Sequence, residues 1–198
     1  MEAQEWDRRY AAQELLWSAT PNQFVEAEFT GARPGRALDL ACGEGRNAGW
    51  LAGLGWQVTA VDFSPVAVDR GRATVADTAA DTAIEWIVAD LTSWPIPEDA
   101  YDAVIVAYLH LPQTDMAAIL GRATRALRPG GVLLFVGHDR SNTVGGPQDP
   151  RILHTPATVA GSLAGLEITR AESVPREVGD RFATDTLVRA VRPVSTER

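Results

Sequence analysis

The chain has 198 residues, 45% of them hydrophobic, a formal net charge of −8 and a single cysteine, Cys42. That size supports one ordinary domain with a full core, the lone cysteine excludes an internal disulfide, and no apolar run reaches the roughly 20 residues of a membrane span. The acidic balance argues against nucleic acid, which needs a concentrated positive surface, and three scattered His with one Cys give no zinc-like spacing, so no metal site is expected.

The polar stretch Met1 to Tyr10 does not read as a secretory signal, and a cytoplasmic protein, monomer or homodimer, is expected. All 18 basic residues are Arg; with the many Ala and Gly this points to a bacterial source of high GC content. Helical stretches are expected near Gln4 to Leu16 and Pro21 to Thr30. Strand-like and helical runs then alternate, the pattern of a parallel sheet with helices on both faces. Arg36 to Ala41 reads as the first strand, Arg46 to Leu54 as a helix, and Gln57 to Asp62 as the second strand. Ser64 caps a helix that begins at Pro65 and runs to about Ala79. Ile84 to Ala89 and Tyr101 to Ala107 are the third and fourth strands. From Gln113 to Leu127, Met116, Ile119, Leu120, Ala123 and Leu127 share one helical stripe. Pro129-Gly130-Gly131 is expected to stop that helix and turn into a fifth strand, Val132 to Gly137. A long Gly/Pro/Asp-rich loop from His138 to Pro156 follows, of the kind that often binds or covers ligands. After a helix from Thr155 to Ala164, the runs Leu166 to Val174 and Phe182 to Val191 lack a helix between them and are free to pair antiparallel. The fold class is therefore α/β: a Rossmann-like doubly wound sheet, mostly parallel and seven-stranded, ending in an antiparallel hairpin.

The chemistry concentrates where the first strand ends, at Leu38-Asp39-Leu40-Ala41-Cys42-Gly43-Glu44-Gly45-Arg46-Asn47. Gly43 and Gly45 permit backbone angles that a side chain forbids and let a ligand approach the main chain. In doubly wound sheets, ligands sit at the carboxyl ends of the strands. Two cofactor readings compete. Gly43-x-Gly45-x-x-Ala48 matches the dinucleotide fingerprint, and Asp62 lies about where its ribose-binding acid belongs. Yet Asp39 and Glu44 add negative charge to the turn, which opposes a pyrophosphate and suits an ammonium or sulfonium.

The segment LDLACGEGRNA resembles the first motif of the class I S-adenosylmethionine-dependent methyltransferases, with Ala41 where Gly is more frequent. Val58 to Val68, Val88 to Leu91, Tyr101 to Pro112 and Ala126 to Gly137 resemble the motifs that follow, in order and at family spacing. Within the family the chain is most similar to small bacterial members of the tellurite-resistance and thiopurine type. The resemblance implies that Asp39 holds the methionine amino group, that Ala41, Cys42 and Gly43 line methionine and ribose, and that Gly45 belongs to the same turn. It implies that Asp62 accepts from the ribose hydroxyls, that Phe63 packs on adenine, and that Asp90 and the Leu91 amide meet the adenine edge. Arg46 is placed at the cofactor carboxylate, Ala107 beneath the sulfonium, and Tyr108 towards the acceptor. A capping role falls on Tyr10 or Trp17, with Trp94 a further aromatic near the pocket.

Catalytic candidates are Tyr108 and His110, the latter as a general base; His138 and His154 are candidates for lining the acceptor site. Cys42 reads as a packing residue, because methyl transfer needs no enzyme thiol. The expected organisation is one methyltransferase domain over 1–198: a helical cap (1–35), a cofactor-binding core (36–137), an acceptor-side loop (138–156), and a C-terminal helix with antiparallel strands (157–198). The implied reaction is methyl transfer from S-adenosylmethionine to a small-molecule acceptor, leaving S-adenosylhomocysteine. An NAD-dependent oxidoreductase, a non-catalytic S-adenosylmethionine-binding module and an RNA methyltransferase are the alternatives.

Overall fold

A computed structural model describes residues 20–78 and 80–194. The expected helix from Gln4 to Leu16, and with it Tyr10 and Trp17, lies outside the described residues. The chain divides into two compact units, one ending at Pro95 and the other beginning at Ile96.

In the first unit, β1 (Arg36–Leu40), β2 (Gln57–Asp62) and β3 (Ile84–Val88) pair parallel, with Ala37 opposite Val58 and Val58 opposite Ile84. β1 and β2 are buried along their length except at their first residues. That is why they read as continuous apolar runs rather than alternating ones. The connections carry α2 (Arg46–Gly53) and α3 (Pro65–Val75), preceded by α1 (Gln23–Phe29). Asn22 caps α1 by accepting from the Phe24 amide, and its own N–H donates to the Asn47 side chain at 2.9 Å, tying α1 to α2. Ser64 caps α3, accepting from the Ala67 N–H at 3.2 Å. This helix stops short of the expected Ala79. Ala76 is extended, Asp77 takes φ 61°, and the Thr78 hydroxyl donates to the Val75 carbonyl at 2.6 Å. Short polar side chains thus offer the backbone an alternative to another helical turn.

The second unit holds β4 (Tyr101–Ala107), α4 (Gln113–Ala126), β5 (Leu127–His138), α5 (Pro156–Ala160), β6 (Glu167–Val178) and β7 (Arg181–Val191). The strands of the chain form a seven-stranded sheet in the order β3-β2-β1-β4-β5-β7-β6, in which β7 runs antiparallel to β5 and β6. This is the Rossmann-like arrangement expected, antiparallel hairpin included. The buried face of α4 carries Met116, Ile119, Leu120, Ala123 and Ala126. β4 and β5 contribute Val104, Ile105, Val106, Leu133, Leu134 and Phe135 to the core.

Other boundaries differ from the sequence reading as well, and the helix expected from Thr155 to Ala164 ends at Ala160. Pro129-Gly130-Gly131 is not a turn before β5 but an irregularity inside it. Leu127 already pairs with Tyr101, the register shifts before Ala103, and the Gly130 N–H donates to the Arg192 carbonyl at 2.8 Å. Gly131 is required there, since a Cβ would stand 2.9 Å from the Arg128 carbonyl oxygen. β6 in turn continues through Pro175, which pairs with Thr184. The strand tolerates proline because it is the last in the sheet and its outer N–H groups need no partner.

The loop after β5 is pinned by buried polar groups. Asp139 accepts from the Ser141 amide (2.8 Å) and hydroxyl (2.7 Å), and from the hydroxyls of Ser173 (2.8 Å) and Thr186 (2.7 Å). Burial pushes its carboxyl up, but these donors outweigh it and hold the group below its ordinary 3.8. A carboxylate depressed in the folded state stabilises at pH above its unfolded value and loses that contribution as pH falls through the folded one. Asp139→Asn is therefore expected to cost about 2 kcal/mol at neutral pH. In urea titrations across pH, the gap from the parent protein should close on acidification below 3.8.

Candidate functional site

The chain leaves β1 through a left-handed turn: Ala41 has φ 59°, Gly43 56° and Gly45 73°. Alanine at the first of these is strained, because a Cβ opposes the left-handed region by roughly 1–2 kcal/mol. The turn is closed by the Gly45 N–H donating to the Cys42 carbonyl at 2.9 Å. Asp62, at the end of β2, accepts from the Gly43 N–H (2.8 Å) through one oxygen and from the Ser64 N–H (2.9 Å) through the other. Through these two bonds Asp62 clamps the turn.

Asp39 is different. It is 1% exposed, and neither of its oxygens has an aligned hydrogen-bond partner among the described residues. Burial drives its carboxyl up to about 7; the Arg46 guanidinium and the Ala48 amide pull the other way, and Asp62 adds to the rise. A buried carboxylate without a partner costs several kcal/mol, the situation a cationic ligand relieves. Cys42 is buried, and burial beside Asp39 and Asp62 pushes its thiol well up, so it stays neutral. Its packing role agrees with the sequence reading.

Two inferences about the turn need amending. Glu44 does not present a bare charge, because Arg70 pairs with it at 3.2 Å. The electrostatic case against a pyrophosphate therefore rests on Asp39 alone. Gly45 also serves a second purpose: a Cβ there would stand 2.2 Å from the Trp86 ring, and one on Gly71 would stand 2.5 Å from it. The indole is wedged between the two glycines, so Gly45 serves packing as well as the turn. Sequence reasoning passed over Trp86 because a tryptophan in a strand carries no local sign of what faces it.

Phe63 is half-buried beside Asp62. Asp90 is exposed, and one of its oxygens accepts from the Thr92 amide and hydroxyl, both at 2.8 Å, capping the turn that carries buried Leu91 and half-buried Trp94. Its other oxygen has no partner in that turn.

In the second unit, half-buried Ala107 ends β4 and Tyr108 follows with φ 56°. A non-glycine residue rarely adopts that conformation, and such strain gathers at functional positions. The Tyr108 hydroxyl donates to Asp185 at 2.6 Å, as does Arg176 at 2.6 Å. The His110 Nε2 accepts from the His138 backbone N–H at 3.3 Å, and burial beside His138 and His154 pushes its imidazole down to about 3. A base that weak, with one lone pair already engaged, departs from the general-base role expected of it. His154 is buried; Nε2 lies 3.0 Å from the Leu111 carbonyl and Nδ1 2.9 Å from the Gln113 side-chain amide. Burial keeps it neutral. With Nε2 at the Leu111 carbonyl and Nδ1 at the Gln113 Oε1, both ring nitrogens are engaged within the fold, a structural arrangement rather than an acceptor-lining one.

With this geometry in place, likeness to known proteins becomes informative. Residues 37–131 match the family described as a methyltransferase domain. The match covers a little under half of the chain and marks that span as similar to methyltransferase domains. Over 100 residues the chain is 35% identical to a demethylmenaquinone methyltransferase of Clavibacter sepedonicus, covering 50% of this chain and 40% of that protein. The chain thus spans less than half the length of the curated relatives it matches. Among solved structures, the N-methyltransferase NodS from Bradyrhizobium japonicum WM9, in complex with S-adenosylhomocysteine, superposes with a TM-score of 0.74 at 19% identity, covering 98% of this chain and 100% of that one. The 1,6-didemethyltoxoflavin-N1-methyltransferase of Burkholderia thailandensis gives 0.74 at 18% identity, covering 96% and 87%. At such identities the two structures speak for the methyltransferase fold.

The isolation of Asp39 has a measurable cost. Between the ordinary 3.8 and about 7 the folded state holds a proton that the unfolded chain releases, so stability falls as pH rises through that window. Asp39→Asn is expected to raise unfolding stability by about 2 kcal/mol at about pH 8 and to leave it nearly unchanged at about pH 4. Denaturant titration at the two pH values checks this.

Proposed function

We propose that the protein transfers the methyl group of S-adenosylmethionine to a small-molecule acceptor by direct displacement. The observation that carries the reading is Asp39, a buried carboxylate without a hydrogen-bond partner beside a left-handed, glycine-containing turn at the carboxyl end of a central strand. An ammonium group suits that environment and a pyrophosphate does not. In this reading Asp39 receives the methionine amino group and Arg46 the carboxylate. Ala41, Cys42, Gly43 and Gly45 shape the wall of the turn. Asp62 takes the ribose hydroxyls, and Phe63, Asp90 and Leu91 border the adenine. Ala107 and Tyr108 belong to the acceptor end. Bound there, the cofactor supplies a methyl group on an already activated leaving group. The protein's task is then alignment and exclusion of water.

The match of residues 37–131 to the methyltransferase-domain family supports this reading, as does one fold neighbour, an N1-methyltransferase with 1,6-didemethyltoxoflavin bound. Among the described residues no helix is long and apolar enough to cross a membrane. A single methyltransferase domain acting in the cytoplasm as a monomer or homodimer, with the loop 138–156 on the acceptor side, is the organisation we favour.

Calorimetric titration with S-adenosylhomocysteine, with NAD⁺ in parallel, decides the cofactor. Micromolar binding of the first alone, abolished in Asp39→Asn, is the expected result; preference for NAD⁺ or no binding overturns the proposal. Asp39→Asn is a cleaner control than Asp62→Ala, because Asp62 also holds the Gly43 turn. A cofactor ammonium requires the ionised carboxylate. Affinity is therefore expected to fall by about tenfold per pH unit below about 7, with proton release seen as a buffer-dependent heat.

A further inference from the structure

Gly71 stands inside α3 (Pro65–Val75), where glycine weakens a helix relative to alanine. Its backbone does not require glycine, because its φ is not positive. The reason lies in what faces it. A Cβ on Gly71 would stand 2.5 Å from Cη2 and 2.6 Å from Cζ3 of Trp86, and 3.1 Å from the Glu44 carbonyl oxygen. The same two ring atoms face Gly45, where a Cβ would stand 2.2 Å and 2.7 Å from them. One edge of one indole therefore fills the gap between α3 and the turn that leaves β1.

Other contacts bring the same elements together, all of them within the first unit. Arg70, next to Gly71, pairs with Glu44 at 3.2 Å. Arg72 donates to the Trp86 carbonyl at 3.1 Å, which ties β3 to α3. A Cβ on Gly49 of α2 would stand 3.3 Å from Cγ1 of Val75 in α3. The Trp86 indole N–H is buried and has no hydrogen-bond partner among the described residues. Shape, not a polar contact of the ring, keeps the indole there, at the cost of an unsatisfied donor. Gly45 has φ 73° and directly precedes Arg46, the first residue of α2. A ring pressed against Gly45 sets where that helix begins.

We propose that Trp86 is a positioning residue of the cofactor turn, and that its outer edge, gripped between Gly71 and Gly45, holds Glu44 and Gly45 in the conformation that binds the cofactor. The inference rests on the methyltransferase reading above. It makes Gly71, which lies outside the glycine-containing turn, a control point for binding at that turn. Neither Trp86 nor Gly71 is assigned a ligand contact; both act through the backbone of the turn. The coupling is steric. In a close-packed interior, a methyl group added to α3 displaces the ring, and the ring displaces the turn. Phenylalanine lacks the two outer ring atoms, so Trp86→Phe vacates the space that Gly71→Ala fills.

The test uses the whole chain, titrated calorimetrically with S-adenosylhomocysteine below the unfolding transition of every variant. Gly71→Ala is expected to weaken binding by about tenfold, although alanine is the better helix former. Trp86→Phe alone should lose about threefold. The double variant should bind within about threefold of the parent, whereas independent effects would multiply to about thirtyfold. Phe29→Leu, which loosens the edge contact of Phe29 with Trp56, should lower stability and leave affinity unchanged. In 15N spectra the Trp86 indole signal, assigned by its absence from Trp86→Phe, should move in Gly71→Ala and also when S-adenosylhomocysteine is added to the parent. Gly71→Ala binding as tightly as the parent, losses that multiply in the double variant, equal weakening by Phe29→Leu, or an indole signal that ignores the ligand overturns the positioning role. Should Gly71→Ala fail to fold alone, a double variant that folds and binds supports the role, and one that does not fold overturns it. A parent protein that does not bind S-adenosylhomocysteine overturns the methyltransferase reading itself, and this role with it.

Discussion

The turn after β1 depends on one carboxylate. Asp62 reaches from the end of β2 to the Gly43 amide and, with its other oxygen, to the Ser64 amide at the start of α3. Those bonds fix how the chain leaves two neighbouring parallel strands. The left-handed conformation of Ala41 is costly to hold, and a buried pair of short amide–carboxylate bonds is among the stronger ways to hold the turn. Everything placed by the turn inherits that constraint: the direction of α2, the wedge of Trp86 between Gly45 and Gly71, and the enclosure in which Asp39 is isolated. Asp62 therefore belongs to the architecture as much as to any ligand.

Where local pattern and tertiary burial agree, the sequence was legible. Gln57–Asp62 and Tyr101–Ala107 fall where the apolar β-branched runs place them, and the stripe on α4 is the buried one. Legibility failed where the deciding contact is distant. Pro129-Gly130-Gly131 looks like a turn until Tyr101 and Arg192 supply its partners. Pro175 looks like a strand end until its place at the sheet edge makes it harmless. The candidate site divides in the same way. The positions of Asp39, Gly43 and Asp62 were readable because they sit in one compact strand–turn–helix. Asp185 and Arg176 were not, since the bond from Tyr108 to Asp185 spans 77 residues. His110 drew attention by its position after β4, while its contact with His138 is visible only in three dimensions.

Three carboxylates illustrate opposite uses of burial. Asp139 and Asp185 are surrounded by donors and strengthen the fold as anions. Asp39 is buried with too few, and weakens it. A position that subtracts from stability in the free protein, and recovers that loss on meeting a cation, gives ligand affinity and folding a shared reserve of free energy.

β6 carries one more implication. It closes the sheet with nearly all of its residues exposed, and it leaves a row of backbone donors and acceptors facing outward. Such an edge is a template for strand addition by another molecule. Along this one stand Glu167, Arg170, Glu172, Arg176 and Glu177, interrupted by Pro175. Alternating charges and a residue without an N–H make the border a poor match for a copy of itself. In a crowded cell, that chemistry lets the sheet end there instead of growing from one chain into the next.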